Sequence, residues 1–185
     1  MVGGFSYIWR KWRRRAEYYL LCRGDKIRYL RRMGVRIGEG CDILNGVECY
    51  PEPWLIEIGN RVTITADVGF LTHDGSSRLF RDKLPGSCRF GNRFGTIIVR
   101  DNCFIGVGSV IMPDVTIGPN SIVGVHSVVT KDVPPGTVVA GIPARPICTL
   151  EEYIDKYKAK MIPLTATDWK SLRRELTMKL WGEER

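Results

Sequence analysis

Only 2 histidines occur in 185 residues. A three-histidine zinc centre needs more imidazoles than one chain carries, which argues against that kind of metal chemistry. The cysteines Cys22, Cys41, Cys49, Cys88, Cys103 and Cys148 form no C-x-x-C pair, so neither a zinc ribbon nor a dithiol redox motif is indicated. No run approaches the ~20 apolar residues of a membrane span. The N-terminus lacks the apolar stretch and small-residue cleavage site of a secretory signal. The expectation is a cytoplasmic chain with reduced thiols.

Basic charge is also missing from most of the chain. The net charge is +8. Residues 1–32 carry ten Lys/Arg against Glu17 and Asp25, which accounts for the whole excess; the remainder is neutral. The basicity belongs to an N-terminal appendage, so a nucleic-acid-binding core is not expected. The length suits one domain with a real core.

What the sequence does have is a period of six. Val99, Ile105, Ile111, Ile117, Val123 and Val129 follow one another at that interval, and small or β-branched residues (Cys103, Ser109, Val115, Ser121, Ser127) stand four places on. The frame recurs at Ile37 and Ile43, and at Ile58, Ile64 and Phe70. Six is neither the helical period nor strand alternation. It suits a short strand and a sharp corner, repeated three times to a coil, with coils stacked ~4.8 Å apart and sharing one core. Gly106, Gly118 and Gly124 directly follow an aliphatic position, where a residue without Cβ can take angles closed to others. The hand of the coil does not follow from the period.

The run IGVGSVIMPDVTIGPNSIVGVHSVVTKDVPPGTVVAGIPARPI (105–147) resembles the hexapeptide-repeat acyltransferases, above all the galactoside, maltose and polysaccharide O-acetyltransferases. The resemblance covers about residues 35–148. It implies a β fold, a left-handed parallel β-helix of hexapeptide repeats flanked by N- and C-terminal α-helices. It also implies a homotrimer with active sites between adjacent subunits, acetyl-CoA as co-substrate with no metal, and a sugar or glycan hydroxyl as acceptor. The expected organisation is a basic helical segment at 1–34, the β-helix at 35–148 with a loop inserted at 71–95, and helices at 149–185.

The inserted loop begins at LTHDG, which contains His73. As a bare motif this could be a solvated turn. In the resembling enzymes a histidine at the end of a coil, just before an extended loop, is the general base, and His73 stands there. Imidazole suits the task, because its ordinary pKa of ~6.5 leaves it basic at neutral pH. Asn45 matches an active-site asparagine of the family and is a candidate to bind the oxyanion and acceptor. Asp74 either orients the imidazole or caps its own turn. Glu52 falls near the family's acidic acceptor-binding residues, although Pro51 and Pro53 also allow a purely local role.

The resemblance assigns Thr130, Lys131 and Arg145 to the acetyl-CoA pantetheine and phosphates, where a forked guanidinium contact is apt. Solvated surface charge is the other reading of both cations. Gly106, Val107, Gly124 and Val125 stand at turns that offer backbone groups to the pantetheine. Val107 and Val125 replace the small residues of the galactoside enzymes, and Cys148 replaces a basic one. His126 lies inside a regular hexad as a surface residue, with a base on a later coil as the alternative.

Residues 5–20 place Phe5, Ile8, Trp9, Trp12, Ala16, Tyr19 and Leu20 at helical spacing among arginines. Such a helix either lies at the inner face of an anionic membrane or packs on the prism. At the other end, Thr149 and Asp168 read as caps of two helices. Acetylation of an antibiotic or amino sugar, and a non-catalytic prism, are the competing functions.

Overall fold

The computed structural model describes residues 25–76, 79 and 93–182. The N-terminal helix expected at 5–20, together with Cys22, Cys88 and most of the inserted loop, lies outside the described residues. Two compact units divide between Glu151 and Glu152.

The first element among the described residues is α1 (Lys26–Arg32), capped by Asp25, whose carboxylate accepts the Arg28 N–H at 2.9 Å. Sixteen short strands follow among the described residues. The first coil is β1 (Arg36–Ile37), β2 (Asp42–Ile43) and β3 (Glu48–Tyr50), and the second is β4 (Ile56–Ile58), β5 (Thr63–Ile64) and β6 (Gly69–Leu71). A hairpin stem, β7 (His73–Asp74) with β8 (Arg93–Phe94), spans the base of the insertion. The third coil is β9 (Ile97–Val99), β10 (Phe104–Ile105) and β11 (Val110–Ile111), and the fourth is β12 (Val115–Ile117), β13 (Ile122–Val123) and β14 (Val128–Val129). β15 (Thr137–Gly141) adds one more parallel strand, and β16 (Ala144–Thr149) turns back antiparallel against it.

These strands form three parallel faces, in the orders β1-β4-β9-β12, β2-β5-β10-β13-β15 and β3-β6-β11-β14. The register explains the hexad. Ile37, Ile58, Val99 and Ile117 stack on the first face. Ile43, Ile64, Ile105, Val123 and Val139 stack on the second, and Cys49, Phe70, Ile111 and Val129 on the third. Nearly all of these side chains are buried, with Ile64, Ile105, Ile111 and Ile117 at 0% exposure. Burying each such aliphatic contributes roughly 1.5–3 kcal/mol. No single coil could exclude water from its own inner side, so the ladders are a shared core. Burial pushes the Cys49 thiol up to about 12, with the Lys26 charge partly offsetting it.

The small corner residues bond backbone carbonyls of the same coil or the next one. Ser109 and Ser127 both donate to Gly124 O, at 2.9 and 2.7 Å, and the Cys103 thiol donates to Gly118 O at 2.9 Å. The glycines after the aliphatics differ from the torsional expectation. Gly106 and Gly124 are not among the residues with positive φ. What they lack is space: a Cβ on Gly106 would lie 2.6 Å from Val125 N, and one on Gly124 2.8 Å from the Ala140 Cβ.

Two corners between the third face and the next first face break the period. Cys49 and Ile58 are nine residues apart, and a 3-10 turn at Pro53–Leu55 takes up the extra length. The long insertion leaves the same corner one coil later, after β6.

In the second unit, α2 (Leu150–Tyr157) begins at the unit boundary. α3 (Trp169–Trp181) carries a capping box in which Asp168 accepts the N–H groups of Lys170 and Ser171, and it ends on Gly182 in the left-handed conformation. Glu175 on α3 ties down the preceding segment by accepting the N–H groups of Thr165 and Ala166. Among the described residues no helix is long and apolar enough to cross a membrane.

Candidate active site

His73 begins the hairpin stem at the point where the third face is left. Glu52 lies three residues after Cys49, and His73 three after Phe70. Because Cys49 and Phe70 are register partners, Glu52 and His73 occupy equivalent places on successive coils. Glu52 Oε2 lies 3.0 Å from His73 Nδ1 and also accepts the Thr72 hydroxyl at 2.6 Å. Thr72 is fully buried and its Oγ1 also accepts the Glu52 N–H at 3.3 Å, so it holds both the backbone and the carboxylate of Glu52.

Burial pushes the Glu52 carboxyl up, but the Thr72 and His73 hydrogen bonds and the imidazole charge outweigh it and leave the group below the ordinary carboxylate range. An ionised carboxylate has no proton to donate. His73 must therefore donate from Nδ1, which leaves the Nε2 lone pair as its basic atom. The Phe94 ring, paired with His73 across the stem, packs beside the imidazole at 5.4 Å between centroids, tilted 52°. The His73 side chain retains 26% of its exposure, enough for a substrate to reach it.

Asp74 does not orient the imidazole. Its two carboxylate oxygens accept the Ser76 N–H at 2.8 Å and the Ser76 hydroxyl at 3.0 Å. Those bonds, the backbone one first, hold it below the usual carboxylate range. The turn reading of this residue is the one the geometry supports. The side chain at Nδ1 is Glu52, which the sequence had suggested as an acceptor-binding group.

The remaining sequence candidates divide between two edges of the prism. Thr130 and Lys131 follow Val129 at the corner that carries Glu52 and His73, two coils or ~10 Å along the axis from His73, and both are exposed. Asn45 stands at the corner between the second and third faces, where its carbonyl accepts the Asp67 N–H at 3.1 Å. Gly106, Val107, Gly124 and Val125 stack along that same second edge, and Arg145 lies near its end, paired with Ala140. One chain thus does not bring Asn45 or Arg145 to His73. The Gly106 and Gly124 N–H groups donate at 2.8 Å to Val123 O and Val139 O, so they belong to the coil and are not free for a ligand. Val107 and Val125 are exposed on that edge. His126 is exposed there too, at φ 51°, with its ring over Gly108; a Cβ on Gly108 would lie 2.4 Å from the imidazole. Among the described residues no group of three or more His, Cys, Asp or Glu is arranged to hold a metal ion.

Residues 96–131 match the family model described as bacterial transferase hexapeptide (six repeats). The chain is 45% identical over 134 residues to protein CapG of Staphylococcus aureus, covering 71% of this chain and 74% of that protein. It belongs to the hexapeptide-repeat acyltransferases. Its three-faced coil is the left-handed parallel β-helix of that family, and the chain is an acyltransferase. A maltose O-acetyltransferase from Clostridium difficile 630 superposes with a TM-score of 0.52 at 25% identity, over 67% of this chain and 74% of its own. A hexapeptide-repeat acetyltransferase of Vibrio cholerae O1 biovar eltor, solved with acetyl coenzyme A, gives 0.52 at 26% identity, over 75% of this chain and 84% of its own.

The sequence reading did not pair Glu52 with His73. One signal could have found it: the interval from Cys49 to Ile58 is three residues longer than a hexad, which marks an extended corner directly beneath the histidine.

Proposed function

We propose that this hexapeptide-repeat acyltransferase moves an acetyl group from acetyl-CoA to a sugar hydroxyl, with His73 as the general base. The observation that carries the reading is the Glu52–His73 pair, in which the carboxylate occupies Nδ1 and leaves Nε2 as the basic atom. The likeness to a maltose O-acetyltransferase and to an acetyltransferase solved with acetyl coenzyme A supports the acceptor and donor classes.

A sugar hydroxyl is a weak nucleophile until its proton leaves. In the proposed step Nε2 takes that proton as the oxygen attacks the acetyl carbonyl carbon. The carbon–sulfur bond then breaks, and the imidazolium returns the proton to the departing thiolate. Glu52 stabilises the charged ring between the two transfers and keeps it from rotating. The donor supplies the activated acetyl group, and no serine or cysteine nucleophile is needed. Lys131 and Arg145 would meet its phosphates, and Asn45 would donate to the oxygen that gains charge.

Because these residues stand on two edges, the proposal includes a homotrimer. The edge bearing Asn45, Val107, Val125 and Arg145 of one copy would face the edge bearing His73, Thr130 and Lys131 of the next. Peripheral membrane contact through residues 1–20 is a further part of the proposal. It is supported by Trp9 and Trp12 among five cations at 10–15. Flotation on anionic vesicles with and without those residues tests it, and equal binding would reject it.

Steady-state acetyl transfer by His73→Ala decides the main reading. Loss of about 10²–10⁴ in kcat is expected, the usual contribution of a general base. Unchanged turnover would move the base elsewhere.

A further inference from the structure

We propose that Phe94 is the acceptor-stacking residue, carrying the C–H face of a pyranose ring while a hydroxyl of that ring meets His73. The inference rests on His73 as the base, and it adds which side chain orients the acceptor and what shape of acceptor fits.

Phe94 is 52% exposed, although the aliphatic ladders behind it are almost wholly buried. Its ring lies 5.4 Å from the imidazole, centroid to centroid, so a large apolar surface lies open beside the proposed base. Nδ1 of the histidine is taken by Glu52. An incoming acceptor therefore meets a polar site and an apolar ring side by side.

The ring is also held in place. On one side of Phe94, Gly95 donates its N–H to Thr72 O at 2.9 Å, and a Cβ on Gly95 would lie 2.3 Å from Asp114 Oδ1. On the other side, Arg93 pairs with that same Asp114 at 3.1 Å. Phe94 thus sits between two tethered neighbours, and its pairing with His73 is set by the stem. An aromatic surface beside a base on one rigid stem suits a ligand that is apolar on one face and hydroxylated at its rim. A pyranose has that division: its axial C–H groups carry partial positive charge and its hydroxyls lie around the edge. The face of a benzene ring is the negative part of its quadrupole, so it attracts those C–H groups.

The test compares wild type, Phe94→Ala and Phe94→Tyr with acetyl-CoA and two kinds of acceptor: a panel of methyl hexopyranosides, and glycerol, which has hydroxyls but no ring face. Phe94→Ala is expected to raise the pyranoside KM about tenfold, at the upper end of one aromatic contact. The acetyl-CoA KM, the glycerol kinetics and the oligomeric state should hold, and Phe94→Tyr should restore the pyranoside KM. An unchanged pyranoside KM overturns the proposal, as does an equal loss with glycerol, a shift in the donor KM, or dissociation of the oligomer. Wild-type protein that acetylates none of the pyranosides also overturns it. Turnover retained by His73→Ala would refute the base instead, and the pyranoside KM of the Phe94 variants would still read the stacking on its own.

Discussion

Glu52 and His73 hold the same place on successive coils, and Oε2 of the first lies 3.0 Å from Nδ1 of the second. The contact joins the two irregular corners of the prism. One is lengthened by three residues and supplies the carboxylate; the other is opened by the long insertion and supplies the imidazole. Asp74, next to His73 in the chain, is held by Ser76 instead.

Substitution separates the two carboxylates. Glu52→Gln keeps the shape of the side chain but can present an N–H to Nδ1, which frees the wrong tautomer. Its kcat is expected to fall about 10²-fold, a large part of what a general base contributes. Asp74→Asn should change kcat by less than about threefold, since its bonds are local turn bonds. Equal losses in steady-state acetyl transfer would contradict the assignment of Glu52 as the orienting group.

The Glu52 carboxyl also links stability to pH. Its pKa in the fold is depressed relative to the unfolded chain, where a glutamate titrates near ~4.3. Its contribution is therefore fully present above about pH 4.3 and is lost as the pH falls through the depressed value. Urea unfolding of wild type and Glu52→Gln in the acid range should show a gap that shrinks as the pH falls below that point. A gap that widens in acid would reverse the sign and reject the ionised carboxylate.

Division of the site between two edges predicts complementation. His73→Ala and Asn45→Ala, each weakly active alone, should recover about one quarter of the wild-type sites when mixed equally and refolded together. In a cyclic oligomer with random mixing, one junction in four joins an intact His73 to an intact Asn45. If both residues served from one chain, mixing would recover nothing. Light scattering should give three chains per particle.

Coil stacking predicts that the smallest addition at Gly106 is costly. Gly106→Ala sets a methyl group 2.6 Å from the backbone N of Val125, and overpacking of this kind costs about 1–3 kcal/mol. Thermal unfolding should register the loss. Val107→Ala, one residue along on the exposed corner, should leave the melting temperature nearly unchanged.

The sequence by itself determined the coil. An aliphatic every sixth residue with a small side chain at each corner has one economical arrangement, a stacked triangle with those side chains inward. The break in the hexad, read with the family resemblance, pointed to His73, and Asp168 marked the start of the last helix. What only the tertiary structure decided is who touches whom across coils. Adjacent residues of a strand point to opposite sides, so Asp74 cannot share the place of His73 however close it lies in the chain. Glu52 reaches the imidazole from 21 residues away, because one full coil plus the three-residue corner extension brings it into register. Likewise the reason for Gly106 and Gly124 is a neighbouring backbone that exists only once the coils have stacked. Local spacing fixes which way a side chain points, and coil register fixes what it meets there.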